Sequence, residues 1–248
     1  MPEPKPKIVV MIPTYNEREN IGGLIQDILS LPVGGQLTVL VVDDDSPDGT
    51  ADVVNEMGRR DPRVRLLLRK ENRGRGSAGI AGFAKALELG AEYIIEMDGD
   101  GSHQPAYIPL LLAAAQKHDL VLGSRFVAGA QDADRPQYRR LVTRLVRLFV
   151  RRLFAVPVRD VSSGFRCFRR PVLEAVGLDS LVSTGPSVVL EVLYKAHRLG
   201  FSMGEVPIVF VDRKEGRTKL TGMTLGKTFL MAVRIRKMYR HLQPLERT

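Results

Sequence analysis

Tryptophan is absent from this sequence and aromatic residues make up only 6% of it, so the stacking surfaces on which single-stranded nucleic-acid binders rely are sparse. Cysteine occurs once, at Cys167, which excludes an intramolecular disulfide and reads as a small buried hydrophobe in a reducing compartment. The four histidines, His103, His118, His197 and His241, are dispersed, and none stands in a Ser-His-Asp or Cys-His spacing that would mark a nucleophile. No apolar run approaches the ~20 residues of a spanning helix, and residues 1–7, rich in Pro and Lys, lack the apolar centre of a signal peptide. Internal repeats and low-complexity tracts are also missing. The expectation is a globular chain, soluble or held at a membrane surface.

Positive charge is in excess. Lys and Arg number 37 against 28 Asp and Glu, a net charge of +9, which fits nucleic acid, an anionic membrane surface or phosphorylated ligands. A 44% hydrophobic content over 248 residues supplies a core for one α/β domain or two small ones. Apolar, β-branched runs at 7–12, 37–42, 63–68, 92–97 and 119–123 predict strands, and residues 17–31, 77–89 and 105–117 predict helices. This alternation predicts a mostly parallel sheet with helices on both faces. Ser46 is expected to cap a helix with Pro47 at its first position. Beyond 123 the reading gives a loop and strand over 162–168, a helix over 188–198, and a strand over 201–211 interrupted at Pro207. A basic loop at 212–220 and an amphipathic basic helix at 223–241 follow.

Two carboxylates one residue apart, Asp98 and Asp100, follow the apolar run 93–95 and precede Gly101 and Pro105. They should lie where a buried strand ends in a loop, the edge at which open α/β sheets bind ligands. Two readings stand: a polar turn with exposed acids, or an oxygen-only seat for Mg²⁺ or Mn²⁺ whose shell is completed by a diphosphate. His103 follows the pair and can shape its loop.

Residues 74–79 match the G-x-G-x-x-G pattern of dinucleotide sites, but a polar segment separates them from their strand and the unit is third in the chain rather than first. The loop is either a phosphate cradle with Arg73 and Arg75 adding charge or a flexible basic loop. Over 138–158, Arg140, Arg144, Arg147 and Arg151 form one helical stripe. Leu141, Leu145 and Leu148, with Val142, Val146, Phe149 and Leu153, form the next. Such a helix suits a membrane interface, or else packs on the sheet as an ordinary surface helix.

The words IPTYNERENI at Ile12, VVDDDSPDGT at Val41, EMDGDGSHQP at Glu96, DLVLGSRFVAG at Asp119, SSGFRCF at Ser162 and EVPIVFVDRKEGRTKL at Glu205 occur in an order that resembles GT-A glycosyltransferases, most closely the dolichyl-phosphate (polyprenyl-phosphate) mannosyltransferases. The resemblance spans about the first nine-tenths of the chain. It implies a GT-A, Rossmann-like domain over 1–220, with a nucleotide-sugar half to about 125 and an acceptor half to 220, then a basic tail over 221–248. It further implies that Pro13, Thr14, Tyr15, Glu17 and Asp43 line the nucleotide, and that Asp98 and Asp100 bind metal and diphosphate with Ser102 as a further metal contact. Arg125 would face both diphosphate and acceptor phosphate, with Arg139 or Arg140, Thr143, Arg213 and Lys219 on the acceptor side. The chain departs from the family at Asp45, where Gly or Asn is frequent, at Arg75, where Lys is common, and over 185–190, which lacks the aromatic residues often found before the acidic position that Glu191 matches.

The expected activity is therefore metal-dependent, inverting transfer of mannose from GDP-mannose to a polyprenyl phosphate, with UDP-glucose as the alternative donor. The enzyme is expected at the cytoplasmic face of a membrane, held peripherally by its basic amphipathic helices or a partner. A basic nucleic-acid-binding protein is the reading from another class, and it leaves the acidic loops at 43–48 and 98–100 without a role. No essential general base is expected, because a phosphate acceptor is already anionic at neutral pH.

Overall fold

Seven consecutive residues of the first strand, from Ile8 to Thr14, are buried, as expected of a strand covered on both faces. This strand, β1 (Lys7–Thr14), pairs in parallel with β2 (Gln36–Asp43) on one side and β4 (Tyr93–Glu96) on the other. The computed structural model describes residues 5–132, 137–211 and 222–246, with 132, 137–143 and 222–228 described by backbone alone. Within it the elements run β1, α1 (Arg18–Leu29), β2, α2 (Thr50–Arg60), β3 (Val64–Leu68), α3 (Arg75–Glu88), β4, α4 (Ile108–Ala115), β5 (Leu120–Ser124), β6 (Gln131–Asp132) and α5 (Gln137–Phe154). They continue with β7 (Arg166–Arg169), α6 (Arg170–Val176), α7 (Val188–Arg198), β8 (Met203–Pro207), β9 (Val209–Phe210) and α8 (Gly222–Tyr239). Short 3-10 turns at Pro105–Tyr107 and Leu178–Ser180 precede α4 and follow α6.

The main sheet has the order β3-β2-β1-β4-β7-β5-β8. All its pairings are parallel except those of β7, which runs antiparallel to both β4 and β5. Chain order reverses between β1 and β4, which makes a crevice beyond their carboxyl ends the place for a ligand. Helices cover both faces. One core gathers α1, α2 and α4 through Ile21, Ile25, Ile28, Val54, Ile108 and Leu111. The other gathers α3 and α5 to α8 through Phe83, Phe154, Leu173, Leu193, Ile235 and Tyr239.

Three local readings of the sequence are corrected. Helix α2 begins at Thr50, not at Ser46 and Pro47. Ser46 gives its hydroxyl and N–H to Asp43, and Asp48 instead accepts the Thr50 N–H at 2.9 Å, with Gly49 at φ 86° making the turn. Helix α6, with Pro171 in its first turn, went unread because β7 flows into it with no intervening loop residue. In α5, the buried face is Val150 and Phe154, with Val146, Phe149 and Leu153 packed against the core. Leu145 and Leu148 of the expected apolar stripe instead point outward, and Arg147 lies over the Phe126 ring at 4.1 Å from its centroid.

Helix α3 approaches the sheet closely at Gly82, where an added Cβ would lie 2.6 Å from Met11 Cγ and 2.9 Å from Val42 Cγ2. Gly82→Val is therefore expected to destabilise the fold by about 1–3 kcal/mol through overpacking. Urea unfolding should show a lower midpoint with an unchanged m-value.

Candidate active site

The carboxyl ends of β1, β2 and β4 deliver three loops to the crevice. Thr14 ends β1 opposite Asp43 in β2, and its hydroxyl donates to Asp43 Oδ2 at 2.9 Å. With both Ser46 bonds, at 2.8 and 2.7 Å, Asp43 is fully buried and its carboxylate engaged. The N–H groups of Asn16, Glu17 and Arg18 donate to Ser46 Oγ, Thr50 Oγ1 and Asp48 Oδ2, so the first two loops form one unit. Pro13 is buried within β1, while the Tyr15 ring beside it is 55% exposed.

The segment between β3 and α3 crosses this acidic surface as a row of arginines. Arg69 pairs with buried Asp44, Arg73 with Asp45 at 2.6 Å, and Arg75 with both Glu96 at 2.9 Å and Asp98 at 3.1 Å. Gly74 gives its N–H to Asp44 Oδ2 at 2.6 Å, so the first amide of the expected phosphate cradle serves the protein's own carboxylate. Gly76 has a packing role: an added Cβ would meet the carbonyl oxygens of Thr184 and Gly185 at 2.5 Å. Burial lowers the pKa of Arg75, but the charges of Glu96 and Asp98 and its hydrogen bonds to both outweigh it, and the net direction is upward.

The Asp98–Asp100 loop is shaped from within and from behind. Asp100 Oδ1 accepts the Ser102 N–H at 3.0 Å and hydroxyl at 2.6 Å, and Gly101 turns at φ 75°. His103 is buried, stacked on Phe165 with centroids 5.1 Å apart, and its Nδ1 accepts the Asp98 N–H at 3.1 Å. Burial pulls the His103 pKa down against the pull of Asp98 and Asp100; the ring is neutral with its proton on Nε2. Gly164 backs the loop: a Cβ there would stand 3.4 Å from Asp98 Oδ2 and 3.6 Å from His103 Cε1.

Asp98, Asp100 and Ser102 form an oxygen-only donor set on a loop, which fits a hard divalent cation. Among the described residues no group of three or more His, Cys, Asp or Glu is placed to hold a metal. An ion at this pair would draw the rest of its shell from substrate oxygens and water, the habit of Mg²⁺.

Across the crevice, Arg125 follows β5 and is clamped by fully buried Asp160, with Nε 2.8 Å from Oδ2 and Nη2 2.9 Å from Oδ1. Ser162 Oγ accepts Nη2 at 2.9 Å, and Glu205 on β8 accepts the N–H groups of Arg159 and Asp160. The guanidinium also lies 5.1 Å from the Phe210 ring centroid. Burial raises the Asp160 pKa, yet its bonds with Arg125 and Ser162 prevail and hold it below the usual carboxylate value. Glu191, at the acidic position that follows the 185–190 segment, is fully buried in α7 and accepts the N–H groups of Val182 and Ser183 and the Tyr239 hydroxyl. It anchors α8 and the 182–183 segment. The side chains of Arg139, Arg140 and Thr143, and all of Arg213 and Lys219, lie outside the described residues.

Sequence reasoning missed Asp44, Glu96 and Gly164 as site residues. Glu96 carried a signal, a charged residue closing an apolar strand; the others are legible only through partners 25 or more residues away.

A mixed sheet with β7 reversed, and acidic loops gathered over the ends of β1, β2 and β4, define a glycosyltransferase of GT-A architecture. The chain belongs to glycosyl transferase family 2, whose model matches residues 9–177. It is 37% identical over 231 residues to the undecaprenyl-phosphate mannosyltransferase of Micrococcus luteus, covering 92% of this chain and 93% of that protein. It is also 37% identical to the polyprenol monophosphomannose synthase of Mycolicibacterium smegmatis, covering 90% and 84%. The dolichol-phosphate mannosyltransferase of Pyrococcus furiosus is 35% identical, and the match covers 88% of this chain and 60% of that protein. Among solved structures, glucosyl-3-phosphoglycerate synthase from Mycobacterium tuberculosis in complex with Mn²⁺, uridine diphosphate and phosphoglyceric acid superposes with a TM-score of 0.69 at 22% identity, covering 92% of this chain and 78% of that one.

Breaking the Arg125–Asp160 pair strands a buried guanidinium, so Asp160→Asn should lower stability by about 3 kcal/mol or more at neutral pH. Because the folded pKa of Asp160 is depressed, its contribution is present above the ordinary value of about 4 and is lost as pH falls through the lower folded value. The gap between the urea midpoints of wild type and variant should narrow as pH is lowered from about 7 below the ordinary carboxylate value.

Proposed function

We propose that this enzyme transfers a mannosyl group from GDP-mannose to the phosphate of a polyprenyl or dolichyl lipid, with inversion and with Mg²⁺ or Mn²⁺, at the cytoplasmic face of a membrane. The three relatives, all named for mannose and a polyprenyl-type carrier, support the substrate class. The observation that carries the reading is the commitment of the site's other acids. Asp43, Asp44, Glu96, Asp160 and Glu191 are buried and hydrogen-bonded or ion-paired within the protein. A hydroxyl acceptor needs a carboxylate or histidine to take its proton, and His103 spends Nδ1 on a backbone amide. A lipid phosphate needs none, since its second pKa lies near 6.

In the reaction a phosphate oxygen attacks the anomeric carbon and the bond to the diphosphate oxygen breaks, a single displacement that inverts the centre and releases GDP. Pro13, Thr14, Tyr15, Glu17 and Asp43 line the nucleoside, with Arg75 beside the diphosphate. Asp98, Asp100 and Ser102 would hold the metal, which when bound supplies Lewis-acid neutralisation of the leaving diphosphate. Arg125, already oriented by Asp160, presents fixed charge to the acceptor side at little reorganisation cost. Arg139, Arg140, Thr143, Arg213 and Lys219 complete that side. Two anions must meet here, and arginine offsets their repulsion.

Membrane attachment rests on α5 and α8. No helix among the described residues is long and apolar enough to cross a bilayer. These two stack through Phe149 and Phe229, with centroids 4.5 Å apart, and leave Leu145 (58% exposed), Leu148, Phe229, Leu230 (69%) and Val233 facing outward. Arg144, Arg152, Arg234 and Lys237 are exposed on the same helices, the apolar-plus-basic combination of an interfacial helix pair.

Asp100→Asn should abolish transfer while leaving thermal stability near wild type, since it removes charge from a loop and keeps volume. Calorimetry of GDP and UDP, each with Mn²⁺ or with EDTA, checks the site: metal-dependent binding of GDP over UDP is expected, and equal affinity in EDTA would overturn the metal assignment. Transfer at saturating donor should show no deprotonation limb that Asp43→Asn, Asp160→Asn or Glu191→Gln removes.

Liposome co-sedimentation tests the membrane face. Binding to anionic vesicles should fall with salt. It should fall further, by about tenfold or more, in Leu145→Asp/Leu230→Asp, the size expected from withdrawing two apolar side chains. Undiminished binding in that variant would remove α5 and α8 from the interface.

A further inference from the structure

Arg75 opens α3, yet its side chain does not extend into solvent from the helix start. It folds back along α3 to reach β4, and Gly79, four residues on, gives it room: a Cβ at that position would lie 3.3 Å from Arg75 Nη1 and 3.7 Å from Glu96 Oε1. Nη2 is shared between Glu96 Oε1 at 2.9 Å and Asp98 Oδ1 at 3.1 Å. Nη1 is buried and has no hydrogen-bond partner among the described residues. The two acids differ in access. Glu96 is 2% exposed at the end of a core strand, whereas Asp98 stands on the loop with 29% of its side chain exposed.

We infer that Arg75 is a resident counter-ion of the Asp98 carboxylate that opposes binding of a bare divalent cation, so that metal and nucleoside diphosphate load together. This rests on the proposed metal and nucleotide site and goes beyond it by setting how that site fills. A divalent cation arriving alone meets a guanidinium already paired with its ligand. The guanidinium is not free to leave, because departure would strand the buried Glu96 charge. A diphosphate changes the balance. It brings negative charge that offsets both cations. The nearby cation that repels metal in the empty enzyme then helps hold metal and diphosphate in the loaded one. Such coupling is reciprocal: nucleotide must tighten metal by the factor by which metal tightens nucleotide.

The test is Mn²⁺ binding by the full chain, read from the electron paramagnetic resonance signal of free Mn²⁺, without nucleotide and with saturating GDP. Wild type is expected to bind Mn²⁺ weakly alone and at least about tenfold more tightly with GDP, the scale of a unit charge moved within about 4–6 Å of a carboxylate. Arg75→Gln should bind Mn²⁺ alone about tenfold more tightly than wild type, with the coupling to GDP reduced by a similar factor. Arg75→Lys, which keeps the charge, should keep the coupling. Because Arg75→Gln leaves Glu96 buried without its partner, Arg75→Gln/Glu96→Gln is measured beside it and should show the same gain. Metal binding in both Gln variants that is no tighter than wild type overturns the inference, as does wild-type Mn²⁺ affinity indifferent to GDP; either outcome leaves the metal site standing. Wild type that takes up no Mn²⁺ with GDP or UDP removes the metal site itself, and the inference with it.

Discussion

Asp43, Asp44, Asp45, Glu96, Asp98 and Asp100 are carried to one edge of the sheet by β2 and β4, and like charges so placed repel unless something intervenes. The short segment from Arg69 to Arg75 intervenes. Its three arginines each take a different acid, and Gly74 adds an amide to Asp44. Of the other two, Asp43 accepts from Thr14 and Ser46, and Asp100 accepts from Ser102. Loop positions, the start of α3 and the aim of Asp98 all follow from this neutralisation. Removing Arg69 or Arg75 would both free a loop and leave an acid, Asp44 or Glu96, buried without its counter-charge.

The second half of the chain meets the first at the same edge. Phe165 stacks under His103, Gly164 allows the 162–165 segment to touch Asp98, and fully buried Arg166 ties that segment to α7 by donating to the carbonyls of Val161, Ser163 and Val189. Burial lowers the Arg166 pKa to about 10 despite the nearby charges of Glu96 and Asp160. It remains a cation at neutral pH, adding positive potential beneath the acidic loops. One motif therefore supports the Asp98 loop from behind while Asp160, just before it, fixes Arg125.

The strands and the Asp98–Asp100 pair were legible because their signals are local: an apolar run, then acids, then Gly and Pro within ten residues. Helix α7 matched its expected bounds of 188–198 for the same reason. The Arg125–Asp160 clamp was not legible as such, since its members are 35 residues apart and pairing across a fold leaves no periodic trace. The loop at 74–79 was half legible. Its glycines announced close approach, and Gly76 and Gly79 make it to the 184–185 backbone and the Arg75 guanidinium. Helix periodicity marked α5 as amphipathic without choosing which of two adjacent apolar rows faces inward; the docking of α8 made that choice.

Strand β7 lies between β4 and β5, though it is made some 40 residues after β5. During synthesis the first 124 residues can therefore assemble β3-β2-β1-β4 while the far side of β4 remains an open edge of unpaired amides and carbonyls. β5 cannot close it, because its own neighbours are β7 and β8. For the interval in which residues 125–165 emerge, at roughly 5–20 residues per second, the nascent chain exposes the apolar, β-branched Ile94 and Ile95 along that edge. Insertion of Arg166–Arg169 ends this exposure. A strand that looks in the finished protein like a reversal in an otherwise parallel sheet is, on the ribosome, the event that protects the growing chain from pairing with its neighbours.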